Sequence, residues 1–162
     1  MNIKVFDKLY EENKKLDSYF IKKYDNTEDI ILKNKLELLV ELGELANESK
    51  CFKYWKKIEP NRELVLLEYA DVLLMILYFF RELNISLDEE YPKENELDLI
   101  NEFMYLYEKI SNFNKQYNKE LLKDIFINFI RLGKLLDLTT NEIINSSLNK
   151  ININKERFNF ND

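Results

Sequence analysis

The 162-residue sequence has no histidine, a single cysteine, two glycines and two prolines. Each scarcity excludes something. Without imidazole there is no Ser-His triad, no His-ligated zinc and no histidine acid–base chemistry. Any catalysis must then run on carboxylates, lysines or bound metal. Cys51 alone cannot form an internal disulfide, which fits a reducing compartment. So few glycines and prolines leave little turn-making material, and the two-residue alternation of half-buried strands is nearly missing. Long helices with short polar connections follow. The longest apolar run is Val72–Phe80, nine residues, about half of what a membrane span needs. No basic stretch followed by an apolar one opens the chain, so a cytoplasmic protein without a membrane partner is expected. A net charge of −6 with no basic stripe argues against a nucleic-acid duplex as partner. A small anionic ligand remains compatible if metal ions mediate.

What is present is ordinary for a globular chain: 46% hydrophobic and 33% charged residues. The length suits one domain over residues 1–162, expected to be an all-α bundle of about five to six helices. Apolar residues at Val5, Phe6, Leu9, Leu16, Tyr19 and Phe20 give a first helix over Val5–Tyr24. Thr27 suits the N-cap of a second helix over about 28–49. A connector with Pro60, rich in lysines and aromatics, leads to a third helix over about 62–83. Two amphipathic helices are expected over Glu96–Tyr117 and Lys119–Leu138, and a last one begins at Thr139 or Thr140 with Glu142 in its first turn. The polar tail from Ile151 onward is expected to depend on a partner surface for its order, within a substrate-binding tail of about 148–162.

The second and third helices carry the informative residues. Glu41, Glu44 and Glu48 stand at i, i+3 and i+7, within an arc of roughly 60° at about 100° per residue. Leu38, Leu39, Val40, Leu42 and Leu45 fill most of the remaining circumference, the pattern of a buried helix. Glu68 and Asp71 repeat the i, i+3 spacing, and Asp71 runs directly into the all-apolar Val72–Phe80. An unpaired carboxylate in such surroundings costs several kcal/mol. Protonation, pairing with Lys or Arg, or a bound cation can relieve it. Four or five acids converging from two helices exceed the bases nearby. A hard divalent cation with oxygen ligands, Mg²⁺ when phosphates complete the shell, fits best. A solvated acidic face is the alternative for either pair taken alone. Between the pairs, Lys53, Lys56, Lys57 and Arg62 could meet phosphate, and Phe52, Tyr54 or Trp55 could stack on a base. A surface connector capping the core is the alternative there.

Glu41-Leu-Gly-Glu44-Leu-Ala-Asn47-Glu48, then Cys51-Phe-Lys-Tyr-Trp55-Lys56, then Leu67-Glu68-Tyr-Ala-Asp71 together resemble the dimeric all-α dUTPases, within the MazG-like nucleoside triphosphate pyrophosphatases. The resemblance is strongest over Leu36–Phe80. Asn13-Lys-Lys-Leu16-Asp17 looks like the family's Q-x-x-L-D segment lining the base pocket, with Asn13 for the usual glutamine. Lys150, Asn154 and Arg157 match a K-N-x-x-N-x-x-R segment, with Ile151 in place of its first asparagine. Leu74 stands where many members carry a histidine.

The resemblance implies a homodimer that hydrolyses dUTP, with dUDP as a further substrate, to dUMP. It implies two or more Mg²⁺ ions, with Mn²⁺ as a substitute, on Glu41, Glu44, Glu68 and Asp71. Glu41, with Glu48 as second candidate, would orient or deprotonate the attacking water. Lys56, Lys150 and Arg157 would neutralise the phosphates, Trp55 and Asn13 would face the base, and Asp17 and Asn154 would also bind the substrate. The departures at Leu74 and Asn13 keep open a pyrophosphatase for dCTP or a modified nucleotide. A non-catalytic helical module binding nucleotide or protein is the other alternative.

Overall fold

The computed structural model describes residues 3–24, with side chains through residue 18, then 30–113 and 118–157. Those residues form a short 3-10 turn, Ile3–Phe6, and six α-helices: α1 Asp7–Tyr24, α2 Ile30–Ser49, α3 Arg62–Glu82, α4 Leu99–Asn112, α5 Lys119–Leu135 and α6 Thr140–Arg157. No strand occurs among the described residues. The all-α expectation holds.

Helix starts follow side-chain capping. Asn61 Oδ1 accepts from the amides of Glu63 and Leu64 at the head of α3, and Asp98 accepts from the Asn101 amide at the head of α4. Asn118 does the same for Leu121. At α6, Thr139 and Glu142 close a reciprocal capping box: the Glu142 amide donates to Thr139 Oγ1, and the Thr139 amide donates to Glu142 Oε2. α4 begins three residues later than its hydrophobic pattern suggests because Asp98 caps it there. Thr27 and the far end of the expected Glu96–Tyr117 helix lie outside the described residues.

Helix ends explain how the chain manages with two glycines. Among the described residues, the left-handed positions are filled by Lys50, Asn84 and Asp137, with φ of 56°, 52° and 58°. At two of them the chain closes in a Schellman pattern. The Ile85 amide donates to Phe80 O at 2.8 Å, and the Leu138 amide to Gly133 O at 2.9 Å. Asn and Asp tolerate this backbone because their short polar side chains bond locally.

Both glycines serve close helix approach instead. A Cβ on Gly133 of α5 would come 2.8 Å from the hydroxyl of Tyr69 and 3.0 Å from its ring. That ring is fully buried, stacked on Phe129 at 4.3 Å, with its hydroxyl donating to Phe129 O. A Cβ on Gly43 of α2 would meet only the hydroxyl of Tyr107, the end of a half-buried side chain. Gly133→Ala is therefore expected to destabilise by about 1–3 kcal/mol through overpacking. Gly43→Ala should lie within about 1 kcal/mol of wild type, helix propensity offsetting a small shift. Urea unfolding of the two variants checks the contrast.

α3 is the axis of the bundle. Val72, Leu73, Ile76, Leu77, Phe79 and Phe80 are completely buried, and α1, α2, α5 and α6 all pack against it. This is why Val72–Phe80 is apolar on every side. α2 lies at the rim, packed on α3 and α4. It is not enclosed as its composition predicts. Leu38, Leu42 and Leu45 face the core, while Leu36 and Val40 stay 62% and 50% exposed. Within the expected tail, α6 runs on to Arg157, with Ile151 buried, and residues 158–162 lie outside the described residues. α6 is fastened at its head by the Arg62–Glu142 pair, bonded twice at 2.8 Å, and near its end by Lys155–Glu12.

Candidate active site

The i, i+3 spacing on α2 and α3 turns Glu41, Glu44, Glu68 and Asp71 into one cleft of about 510 Å³, which α1 and α6 close from the other side. Glu41, Glu44 and Glu68 each bring a carboxylate oxygen to within 4.8 Å of the others. Asp71 is turned from that trio to Lys150 of α6, whose Nζ lies 2.6 Å from its Oδ2. Glu37, one turn before Glu41, adds a further acid to the wall.

Among the described residues, six acids, counting Asp17, thus line a cleft with two bases, Lys150 and Arg157. Arg81, behind the wall, pairs with Asp17. The remaining acids are in excess, and their proton affinities register it. Burial, then the charges of Asp71, Glu44, Glu68 and Glu37, raise the Glu41 carboxyl to about 7. Burial followed by Asp71 and Glu44 raises Glu68, against the pull of Lys150. Burial raises Asp71 even with Lys150 in contact, and burial with Asp71 raises Glu37.

Oxygen-only donors, clustered and short of counter-charge, suit a hard divalent cation such as Mg²⁺ and offer zinc neither nitrogen nor sulfur. The same cleft is also lined by the apolar Leu16, Leu74 and Met75, together with Asn13. Asn13 is buried, and its Nδ2 donates to the Leu74 carbonyl at 3.0 Å. A carbonyl can only accept, so the amide's orientation is fixed and its oxygen is left for other partners.

Charged groups able to meet phosphates, with apolar lining and one buried amide, are chemistry that suits a nucleotide. A family model described as dUTPase matches residues 5–161. The chain belongs to the dimeric all-α dUTPase family. No curated protein gave a match. As a member of this dUTPase family the chain is a nucleoside triphosphate pyrophosphohydrolase, an enzyme rather than a non-catalytic module. Among the described residues, no helix is long and apolar enough to cross a membrane.

The fold gathers Asn13, Asp17, Glu41, Glu44, Glu68, Asp71, Lys150, Asn154 and Arg157 onto one cleft. Three residues singled out in the sequence lie elsewhere. Glu48 faces Lys50, with Nζ 3.3 Å from its Oε2, and does not line the cleft. One further helical turn carries it beyond the cleft's edge. Trp55 and Lys56 sit in the connector before α3, Trp55 62% exposed and edge-on to Tyr54 at 5.1 Å. Neither lines the cleft. Two residues absent from the motifs contribute. Glu37 was visible as an acid at i−4 from Glu41, on the same helical face. Arg81 had no local signal, because only the packing of α1 on α3 brings it to Asp17.

A pH dependence follows. The folded, metal-free protein holds the Glu41 proton up to about pH 7, whereas the unfolded chain releases it near its ordinary value of 4.5. The folded state therefore binds more protons in that window, and stability falls as pH rises through it. Between pH 5 and pH 8 in chelator, a loss of on the order of 1–2 kcal/mol is expected, discounted for partial solvent access. Thermal unfolding at the two pH values measures it, and a flat profile would contradict the crowding of acids.

Proposed function

We propose that this enzyme hydrolyses dUTP to dUMP and pyrophosphate, with Mg²⁺ held by Glu41, Glu44, Glu68 and Asp71. The observation that carries the proposal is the trio of carboxylates within 4.8 Å on the wall of a cleft whose opposite rim bears Lys150, Asn154 and Arg157. When bound, the ions supply positive charge for the triphosphate and acidify a water. Glu41 orients that water and takes its proton. The oxygen attacks the α-phosphorus, the bond from that phosphorus to the bridging oxygen breaks, and pyrophosphate leaves. Lys150 and Arg157 bind the phosphate oxygens. Mn²⁺ substitutes for Mg²⁺, and dUDP is a second substrate, releasing phosphate.

Asn13 supports two readings of the base. With its nitrogen engaged by Leu74 O, its oxygen accepts an N–H from the nucleobase. Uracil offers N3–H, and cytosine offers its 4-amino group. Leu74 places no polar group beside it. dCTP, or a modified pyrimidine, is accordingly the second reading.

The enzyme is proposed to act in the cytoplasm as a homodimer. Leu32, Leu36 and Val40 form an exposed apolar stripe on α2, with Met104 exposed on the adjoining α4, a face for a second copy to cover. Sedimentation at micromolar concentration tests the dimer.

The function is tested by a panel of deoxynucleoside triphosphates, with and without Mg²⁺, read by pyrophosphate release. Hydrolysis of dUTP alone, dependent on Mg²⁺, is the expected result. Preference for dCTP would select the second reading, and turnover undiminished in chelator would reject the metal site.

A further inference from the structure

Asp71 has an ammonium where the other three acids have none. Lys150 Nζ touches its Oδ2 at 2.6 Å, with the lysine side chain 24% and the aspartate 16% exposed. Glu41, Glu44 and Glu68 converge without Asp71. We propose that Lys150 is a place-holding cation: it satisfies Asp71 in the metal-free protein, and metal binding transfers Asp71 to the ion and frees Lys150 for the substrate. The proposal rests on the metal reading of the four carboxylates given above.

Three observations support the exchange. First, Asp71 follows Glu68 by one helical turn and faces the same cleft, so it can reach the trio's cation by a change of side-chain rotamer. Second, α6 does not need the Lys150 contact to stay docked. Ile143, Ser147 and Ile151 are buried beneath it, and the Arg62–Glu142 and Lys155–Glu12 pairs hold it at either side. Third, a lysine head on a four-carbon stem can swing away while its backbone remains in place. Ammonium and metal ion then compete for one carboxylate. If the pair is closed in about nine molecules of ten, the apparent metal affinity lies about tenfold below its intrinsic value.

The experiment is calorimetric titration of Mg²⁺, and separately Mn²⁺, into nucleotide-free wild type, Lys150→Gln and Arg157→Gln. Arg157 is the control, because it lines the same cleft and acts on Asp71 through space. Its removal changes the charge equally and leaves the Lys150–Asp71 contact in place. Lys150→Gln is expected to bind about tenfold more tightly than wild type, and Arg157→Gln less than about threefold more tightly. In chelator, Lys150→Gln should melt below wild type and gain more on metal addition. Equal affinities for the two variants would overturn the proposal while leaving the metal site standing. Failure of wild type to bind either ion would overturn both. Should Lys150→Gln not fold, the wild-type protein decides. The Lys150 side-chain ammonium resonance should shift on Mg²⁺ addition, and an unmoved signal rejects the exchange.

Discussion

Glu44→Gln and Asp71→Asn are each expected to lower dUTP turnover about a thousandfold. A ligand lost from the proposed metal set forfeits several kcal/mol of transition-state charge stabilisation, and about 4 kcal/mol corresponds to that factor. Stability should move differently from activity. Glu41→Gln removes a carboxyl that burial and four neighbouring acids hold at about 7, so the metal-free variant should melt above wild type at pH 8. Asp71→Asn should bring no such gain, because it leaves Lys150 without its partner. Steady-state kinetics with melting curves in chelator separate the two effects. Near-wild-type turnover in both ligand variants would exclude the four-carboxylate site.

The second large effect lies far from the cleft. Glu102 of α4 is completely buried, and its carboxylate faces Arg131 Nε of α5 at 3.6 Å. Arg131 also donates through Nη2 to Leu97 O. Arg131→Leu would strand that carboxylate, and breaking a buried pair costs about 3–5 kcal/mol. Protonation caps the charge penalty. From an ordinary value of 4.5, neutralising Glu102 at pH 7 costs about 3.4 kcal/mol. The deficit should therefore be about 3 kcal/mol at pH 7 and shrink towards pH 5, because the folded variant holds a proton that its unfolded chain has released. The double variant Glu102→Leu, Arg131→Leu should recover most of the loss. Urea unfolding at both pH values would refute the account if the single variant were no less stable than the double.

The outcome for particular residues shows what local pattern carries. Helix spacing located Glu41, Glu44, Glu68 and Asp71 on one cleft, because their relation is set within single helices and by the neighbouring pair α2 and α3. Val72–Phe80 announced its burial because an all-apolar helix has no other stable place. Glu48 followed the same periodicity and lies outside, turned to Lys50, since spacing does not encode where a cleft ends. Trp55 and Lys56 sit on a connector, where no period fixes direction. The apolar Val40 read as core and is half exposed, because composition gives the character of a face and not what covers it. The partners of Asp17 and Asp71, namely Arg81 and Lys150, belong to pairings that only the folded topology creates.

Placing α1 and α6 together on α3 has a consequence for how the cleft comes into being. Its acidic wall joins helices adjacent along the chain, with only the connector of residues 50–61 between them. Its cationic wall waits for Lys150 and Arg157, which reach Asn13 only when nearly the whole polypeptide has been threaded back on itself. Such a closure is entropically late. A ribosome-bound chain from which α6 has not yet emerged would display the carboxylates but not the two bases proposed to bind a triphosphate, so the assembled pocket exists only once that helix has docked.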